Sequence, residues 1–263
     1  MQYSTFAAID IGSYDVILEI FEISKKQGIR SVDKICHRME LGKDTYTLGK
    51  IRPEMEEELC RVLADFVRIM EGYRVDDYRA AASSAISEAS NSLYVLGKIH
   101  QLTGLSVTVL SNSEQRFLSY KALAAMEDNF NKIIEKGTAI LDLDGGSFQI
   151  SLFDKDALVT TQNIRMGSLR IRERLAGIQS ETEHYEEMVE ELIWNEVSSF
   201  KKMYLKDRKI ENIMLIGDVF TDSVYQNIEE KTTKIISREN FNTWYEKIIR
   251  QSPMELAVKL GIP

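Results

Sequence analysis

The sequence contains two similar turns, separated by about half of the chain, and each turn joins two apolar runs. Residues 10–16 read DIGSYDV, and residues 142–150 read DLDGGSFQI. In both, an apolar run of the kind that forms a strand ends at an aspartate, passes through glycine and serine, and continues as a second apolar run. The repeat therefore predicts two similar halves, each built around a strand, a tight turn and a returning strand.

The residue types in these turns suit the binding of a phosphate chain. Glycine lets a backbone N–H approach a ligand closely, serine adds a hydroxyl donor, and an aspartate at a strand end can hold hydrated Mg²⁺. Either turn alone is equally typical of an ordinary hairpin, but two copies favour a phosphate site. The residues expected to bind phosphate are Gly12, Ser13, Gly145, Gly146 and Ser147.

The chain has 263 residues, of which 44% are hydrophobic and 28% are charged, as is usual for a globular protein. From the position of the repeat we predict two domains, residues 1–117 and 118–263. For a last helix at about 253–263, the sequence leaves open whether it packs back on the first domain. No apolar stretch approaches the roughly 20 residues of a membrane span and no signal peptide opens the chain, so we expect a cytoplasmic protein without a membrane partner.

The charge and the metal-binding residue types argue against two further classes of function. A net charge of −8 is unlike the basic surface that nucleic acids require, so we expect no nucleic-acid partner. Cys36 and Cys60 lack the spacing of metal ligands and the histidines are scattered, so a transition-metal site is not expected. The negative charge also means that a phosphate site would need local cations or Mg²⁺.

The rest of the chain alternates between strand and helix patterns. In the first half we predict a third strand at about 30–39, a loop with Gly42 and Gly49, a helix from Pro53, a strand at 78–82, a helix at about 88–100 and a strand at 106–110. Ser111 precedes the next helix, with Glu114 three residues later, as in a capping box. The second half repeats the plan with a hairpin at 142–153, a strand at about 158–165, a helix at about 182–204, a strand at 212–216 and terminal helices. This alternation predicts an α/β protein with mixed or parallel sheets flanked by helices.

Six short motifs, in the same order, resemble those of the exopolyphosphatase and guanosine pentaphosphate phosphohydrolase family. They are the two turns at 9–13 and 142–149, Leu41-Gly42, residues 82–91 (ASSAISEASN), Thr103-Gly104 followed by 110–115 (LSNSEQ), and residues 166–173 (MGSLRIRE). The resemblance covers essentially the whole chain. It implies the duplicated fold of actin, hexokinase and Hsp70, in which two ribonuclease H-like lobes enclose a cleft.

Members of that family use Mg²⁺, carboxylates and water to remove a terminal phosphate from polyphosphate or from guanosine pentaphosphate. By the resemblance, Asp10 and Asp142 would hold Mg²⁺, and Arg170 would supply a cation for phosphate. The position of the family's general base is Gln115, and Glu114 would take that position only if the alignment shifted by one residue. Relatives are commonly dimers, so a homodimer is an open expectation for this chain.

Several residues depart from the family pattern at positions that carry chemistry. They are Gln115 at the base, Gln149 in place of a glutamate of the metal region, Asp144 in place of a glycine, Ser87 and Phe117 in place of arginines, and Tyr14-Asp15 in place of Asn-Ser. An amide cannot take a proton from water near neutral pH, which removes a contribution of roughly 10²–10⁴ in rate. The missing arginines would have bound phosphate through paired hydrogen bonds.

We therefore predict a protein of this family with weak or absent hydrolysis of phosphoanhydrides, whose ligand class is polyphosphate or guanosine pentaphosphate. Two alternatives stay open: a non-catalytic regulatory module that binds a nucleotide or phosphate, and an active Mg²⁺-dependent exopolyphosphatase. A sugar kinase or an ATPase of the same fold is less favoured, because the second turn lacks the Asp-Gly-Thr of those proteins.

Overall fold

The computed structural model describes residues 3–127, 129–179, 184–206, 208–217, 236–252 and 254–255. Within them the chain forms two sheets, each accompanied by helices. In this part of the chain no helix is both long and apolar enough to cross a membrane. The helix predicted at about 253–263 lies almost entirely outside the described residues.

The first sheet has five strands in the order β3-β2-β1-β4-β5. They are β1 (Ser4–Ile11), β2 (Asp15–Ser24), β3 (Gly28–Arg38), β4 (Asp77–Ala82) and β5 (Val107–Val109). Strand β2 is antiparallel to β1 and β3, whereas β4 is parallel to β1 and β5. Alternate side chains of β1 and of the first half of β2 are buried, which fixes the register because a slip of one residue would expose them.

The helices that accompany this sheet are α1 (Leu41–Leu48), α2 (Pro53–Gly72), α3 (Ser84–Ser87) and α4 (Ser92–Thr103). Helix α2 begins with Pro53 and has glutamates in its first turn, and both features favour a helix N-terminus. Its predicted apolar stripe faces the core, since Leu59, Leu63 and Phe66 are at most 2% exposed. These side chains belong to the same core as the buried residues of β1, β2 and β4.

The second sheet has the order β8-β7-β6-β9. Its strands are β6 (Thr138–Leu143), β7 (Phe148–Asp154), β8 (Ala157–Ile164) and β9 (Asn212–Ile216). The remaining helices are α5 (Asn112–Met126), α6 (Phe130–Glu135), α7 (Ser168–Gln179), α8 (Tyr185–Tyr204) and α9 (Arg238–Ile248). This strand order repeats β3-β2-β1-β4, and β9 is parallel to β6 as β4 is to β1. The two similar halves predicted from the repeat are confirmed, and each turn joins the first two strands of its sheet.

The described residues form two compact units that do not follow the order of the sequence. The first unit takes residues 1–118, 144–148 and 163–203, and the second takes residues 119–143, 149–162 and 204–263. The second Gly-Ser turn and helix α7 thus belong to the same unit as the first turn. The two domains divided after residue 117 stay a prediction.

The loop predicted around Gly42 and Gly49 is wrong, because this segment is helix α1. Glu40 precedes the helix with φ 47°, and Gly49 ends it with φ 69°, a left-handed conformation that glycine adopts without steric cost. Asp44 on this helix is buried and accepts hydrogen bonds from the N–H and from Nε of Arg52, both at 2.9 Å. Helix α4 begins later than the sequence predicts, at Ser92, and the sequence patterns do not predict α6 or α7.

Candidate functional site

The first turn (residues 12–15) is held by hydrogen bonds from the backbone around the start of α1. The N–H of Gly42 donates to the Ser13 carbonyl at 2.8 Å, and the N–H of Glu40 donates to the Tyr14 carbonyl at 3.1 Å. A residue with a side chain has little room at Gly42, because a Cβ there would lie 2.6 Å from Tyr46. The position of α1 therefore determines the shape of the first turn.

The hydroxyl of Ser13 is part of a group of three hydroxyls inside the first unit. Ser13 Oγ lies 2.7 Å from Tyr46 Oη and 3.2 Å from Ser84 Oγ, and Tyr46 Oη lies 2.8 Å from Ser84 Oγ. Ser13 is 0% exposed. Burial raises the pKa of the Tyr46 phenol, so that the group stays neutral and can donate a hydrogen bond. In this arrangement the hydroxyl predicted to bind phosphate is bonded to protein groups instead.

The second turn (residues 144–147) is closed by its own side chain as well as by its backbone. The N–H of Asp144 donates to the Ser147 carbonyl at 3.0 Å, and the N–H of Gly145 donates to the Asp144 carboxylate at 2.5 Å. The N–H of Arg170, in α7, donates to the Gly145 carbonyl at 3.0 Å. A carboxylate of the chain thus occupies one of the N–H groups expected to bind phosphate.

Tyr46 lies against both turns. A Cβ added at Gly146 would lie 2.2 Å from Tyr46 Oη and 2.4 Å from Ser84 Oγ, so only glycine fits at this position. The structure brings together the residues predicted to bind phosphate, but Ser13, Gly145, Gly146 and Ser147 are all buried. The two turns predicted to bind phosphate are therefore covered in part by other side chains of the same unit, and phosphate binding stays a prediction.

Arg170 was predicted to be a cation for phosphate, and its guanidinium is bound to groups of the first unit. Nε donates to the Gly146 carbonyl at 2.8 Å, and Nη2 donates to both carboxylate oxygens of Glu88 at 3.0 Å. Its Cζ lies 3.8 Å from the centre of the Tyr46 ring, which is within the range of a cation–π contact. Arg170 therefore shares the carboxylate of Glu88 with Arg165, which approaches it at 3.5 Å.

Arg172 is paired in a similar way, with Glu40 at the start of α1. Nη1 donates to Glu40 Oε1 at 2.9 Å and to the Tyr14 hydroxyl at 3.2 Å, and Nη2 donates to Glu40 Oε2 at 2.5 Å. Nε and Nη2 also donate to Glu173 at 3.0 and 2.8 Å. The hydrogen bond with Arg172 lowers the pKa of the Glu40 carboxyl and raises the pKa of the guanidinium. Both groups therefore stay charged near neutral pH.

The start of α5 contains the two candidates for a general base. The predicted capping box is confirmed: the N–H and hydroxyl of Ser111 donate to the Glu114 carboxylate at 2.9 and 2.7 Å, and the N–H of Glu114 donates to Ser111 Oγ at 3.2 Å. The hydrogen bond from the Ser111 backbone lowers the pKa of the Glu114 carboxyl, which makes it a weaker base. Gln115 is partly buried in the same turn. The role of either residue in catalysis stays a prediction.

The carboxylates expected to hold Mg²⁺ lie in different compact units. Asp10 is exposed near the end of β1, and Asp142, in β6, accepts a hydrogen bond from the Ser119 hydroxyl at 3.2 Å. Among the described residues no group of three or more His, Cys, Asp or Glu is placed to hold a metal. The binding of Mg²⁺ by Asp10 and Asp142 stays a prediction. Gln149 is buried, and its Oε1 has no hydrogen-bond partner in the described part of the chain.

Sequence reasoning missed the side chains that surround the two turns. Tyr46, Glu40, Glu88 and Arg172 lie at or near the motifs, but none of them was named as a site residue. The separation along the chain explains this, because Arg172 and Glu40 are 132 positions apart, and Arg170 and Glu88 are 82 positions apart. The sequence did contain one signal for the pair of Arg170 and Glu88. These residues have opposite charges, and each lies within one of the six motifs.

Comparison with known proteins agrees with these features. The profile of the Ppx/GppA phosphatase family matches residues 19–260. The bifunctional 3-dehydroquinate synthase/phosphatase of Fusobacterium nucleatum is 22% identical over 238 residues, which are 86% of this chain and 34% of that protein. Exopolyphosphatase 1 of Mycobacterium leprae is 25% identical over 144 residues, which are 54% of this chain and 41% of that protein. The matches thus span less than half the length of these two relatives.

Solved structures show the same fold. An exopolyphosphatase from Cytophaga hutchinsonii superposes with a TM-score of 0.79 at 19% identity, covering 97% of this chain and 83% of that chain. The Aquifex aeolicus member of the Ppx/GppA family superposes with a TM-score of 0.72 at 21% identity, covering 98% and 83%. These likenesses confirm the duplicated α/β fold that the motifs implied. Because the family profile matches most of its length, the chain belongs to the Ppx/GppA phosphatase family.

Proposed function

We propose that this protein keeps the phosphate loops of its family but hydrolyses phosphoanhydrides weakly or not at all. The observation that carries the proposal is the pairing of Arg170 and Arg172 with Glu88 and Glu40, which engages the guanidinium groups of α7 in ion pairs within the protein. Transfer of a phosphoryl group depends largely on positioned positive charge, because negative charge is spread over the phosphate oxygens in the transition state. With these two arginines engaged by carboxylates, the site would lose much of its effect on the rate.

The groups at the catalytic positions support the same proposal. Gln115 cannot act as a base, and the neighbouring Glu114 carboxylate is held at the cap of its own helix. Gln149 stands where the resemblance expects a glutamate, so that one negative charge for Mg²⁺ is missing. Mg²⁺ therefore stays part of the proposal only as a weakly held ion that enters together with a polyphosphate or a guanosine pentaphosphate.

Released phosphate is the measurement that tests the proposal. The protein would be incubated with Mg²⁺ and either polyphosphate or guanosine pentaphosphate, beside a family member of known activity as a positive control. We expect release at least about 10²-fold slower than in that control, the smallest effect of losing a general base. Turnover typical of the family, and its loss in the Gln115→Ala variant, would contradict the proposal.

A regulatory module that binds a nucleotide without cleaving it is the second candidate. Its support is aromatic surface near the first turn: Tyr14 is partly exposed and has the guanidinium of Arg38 4.6 Å from its ring centre. An aromatic ring of this kind can stack with a base. A thermal-shift screen with guanosine and adenosine nucleotides tests this function, and a Tyr14→Ala variant should lose any shift that depends on stacking. No shift with any nucleotide would rule it out.

A further inference from the structure

Three donors in and near the two turns share one arrangement, because each of them is bonded to a carboxylate of the same unit. The three pairs are Arg170 with Glu88, Arg172 with Glu40, and the N–H of Gly145 with Asp144. We propose that these carboxylates are built-in substitutes for phosphate, which keep the turn closed and hold its affinity for anions low. The inference rests on the proposed function and supplies a physical reason for it.

The pair between Arg170 and Glu88 uses a donor nitrogen, Nη2, that a phosphate could also use. Both oxygens of Glu88 lie 3.0 Å from Nη2 of Arg170, and Arg165 approaches the same carboxylate at 3.5 Å. A guanidinium binds carboxylate and phosphate oxygens through the same donors. A phosphate that used Nη2 of Arg170 would compete with Glu88, whose side chain is 25% exposed.

At Arg172, protein groups compete with a phosphate for every donor of the guanidinium. A guanidinium has five N–H donors, and the contacts of Arg172 to Glu40, Glu173 and the Tyr14 hydroxyl account for five hydrogen bonds. An anion cannot be added to this set and has to replace one of its members. An arriving phosphate therefore gains only the difference between two similar interactions.

The backbone at Glu40 indicates that this contact is a specific feature of the fold. Glu40 has φ 47° and ψ 45°, a left-handed conformation that residues other than glycine rarely adopt. Its N–H donates to the Tyr14 carbonyl of the first turn, while its carboxylate binds Arg172 of α7. The strained residue thus places a negative charge beside the guanidinium and joins the first turn to α7.

The charge of these carboxylates acts on a ligand in a second way. Each repels an incoming polyanion, and the repulsion is stronger near a partly buried site than in open solvent. Replacing glutamate by glutamine keeps the shape and an acceptor oxygen but removes both the charge and the strong pairing. The substitution should therefore free the arginines for an anion.

The test is the affinity for sodium tripolyphosphate in the absence of Mg²⁺, measured by isothermal titration calorimetry. The proteins compared are the natural chain, Glu40→Gln, Glu88→Gln and the variant with both changes. We expect the double variant to bind at least about tenfold more tightly than the natural chain, because hydrogen bonds to a charged partner are among the strongest. Circular dichroism would verify that each variant is folded. If the double variant does not fold, the affinity of Glu40→Gln alone decides the test.

The matched control is Glu22→Gln, which removes the same charge from an ion pair with Arg30 elsewhere in the first unit. Its affinity should stay within about twofold of the natural chain, because salt screens a distant charge. Equal affinities of the control and the double variant would overturn the inference, and so would a gain that survives when Arg170 and Arg172 are also changed to methionine. Because the titration measures binding and not turnover, its result is independent of the phosphate-release assay. Rapid hydrolysis would refute the proposed function. An unchanged affinity would refute only the inference that the carboxylates substitute for phosphate.

Discussion

Ser13 in the first turn is held by uncharged groups, whereas charged side chains take part in holding the second turn. The other end of the first turn also meets charged groups, since Arg172 donates to the Tyr14 hydroxyl and Arg38 donates to the Asp15 carboxylate. Around the first turn, backbone N–H groups of α1 and the hydroxyls of Tyr46 and Ser84 bind Ser13 and its neighbours. Around the second turn, the Asp144 carboxylate and the Arg170 guanidinium make the corresponding contacts. Uncharged hydrogen bonds in a buried place respond little to salt and pH, whereas charged pairs respond to both.

The two turns share a sequence motif, but substitutions at each of them should change different properties of the protein. The first turn is part of the packed interior, since Ser13 is 0% exposed and lies beside the main core of the unit. The second turn lies beside side chains whose charges are balanced in pairs, and a single substitution can upset that balance. Changes at the first turn should mainly alter stability, and changes around the second should alter both stability and the affinity for anions.

The largest effect is expected from Gly167→Ala, which would push the second turn away from α7. The new Cβ would lie 2.4 Å from the carbonyl oxygens of Asp144 and Gly145, and backbone atoms cannot move aside as side chains can. We expect a loss of about 3 kcal/mol in the free energy of unfolding, measured by urea denaturation, which is the upper part of the range for overpacking. Gly177→Ala, inside α7, is the control and should stabilise by up to about 1 kcal/mol, because a Cβ there meets no atom within 4 Å.

Gly42→Ala adds a Cβ beside the first turn, as Gly167→Ala does beside the second. Its Cβ would meet side-chain atoms, namely Tyr46 at 2.6 Å, Leu169 at 2.9 Å and Ser13 at 3.0 Å. Because side chains can shift, we expect a smaller loss of about 1–2 kcal/mol. A loss equal to that of Gly167→Ala would mean that the first turn is packed as rigidly as the second.

The hydroxyl of Tyr46 gives the next largest effect. Tyr46→Phe removes one member of the hydroxyl group, and the Oγ atoms of Ser13 and Ser84 each lose a partner at 2.7 and 2.8 Å. We expect a loss of about 1–2 kcal/mol in urea denaturation, because polar groups that lose a partner inside the protein are costly. Tyr94→Phe, at a side chain that is 65% exposed, should change stability by less than about 0.5 kcal/mol. A change no larger than that of the control would mean that Ser13 and Ser84 satisfy each other.

Local patterns in the sequence predicted most of the elements in the described residues. The strands around both turns, the stripe of α2 and the capping box of Ser111 and Glu114 each depend on residues a few positions apart. Helix α1 escaped prediction because it has only 8 residues and depends on distant contacts. One of these is the hydrogen bond from the Thr45 hydroxyl to the Ala85 carbonyl, 40 positions away.

The candidate site was predicted in its location but not in its contacts. The positions of Gly12, Ser13, Gly145 and Gly146 followed from the repeat, since equivalent turns of a duplicated fold join equivalent strands. The sequence could not show that Tyr46 covers them or that Arg170 finds a carboxylate, because both contacts depend on the tertiary packing of segments far apart in the chain. Residue types predict what a site can bind, and packing decides which of its donors are still available.

The smallest effect on stability is expected from removing the charge of Glu40. Its dependence on pH distinguishes charged contacts from uncharged ones. The hydrogen bond from Arg172 lowers the pKa of the Glu40 carboxyl below its ordinary value of 4.5, and Lys43 and Arg38 act in the same direction. Because the folded-state pKa is the lower one, the stabilisation is complete above the unfolded-state pKa and is lost as the pH falls through the folded-state pKa. At pH 7 the natural chain should exceed Glu40→Gln by at most about 1 kcal/mol, since water screens a partly exposed pair.

Urea denaturation of both proteins at pH 7 and at about pH 3 checks this expectation. The difference between the natural chain and Glu40→Gln should shrink at the lower pH, where the carboxyl of the folded protein takes up a proton. The difference in the free energy of unfolding between the natural chain and Tyr46→Phe should stay the same, because the three hydroxyls of Ser13, Tyr46 and Ser84 carry no charge over this pH range. If both differences were independent of pH, Glu40 would stabilise the protein through packing and uncharged hydrogen bonds, and its contact with Arg172 would not differ in kind from the hydroxyl contacts of Ser13.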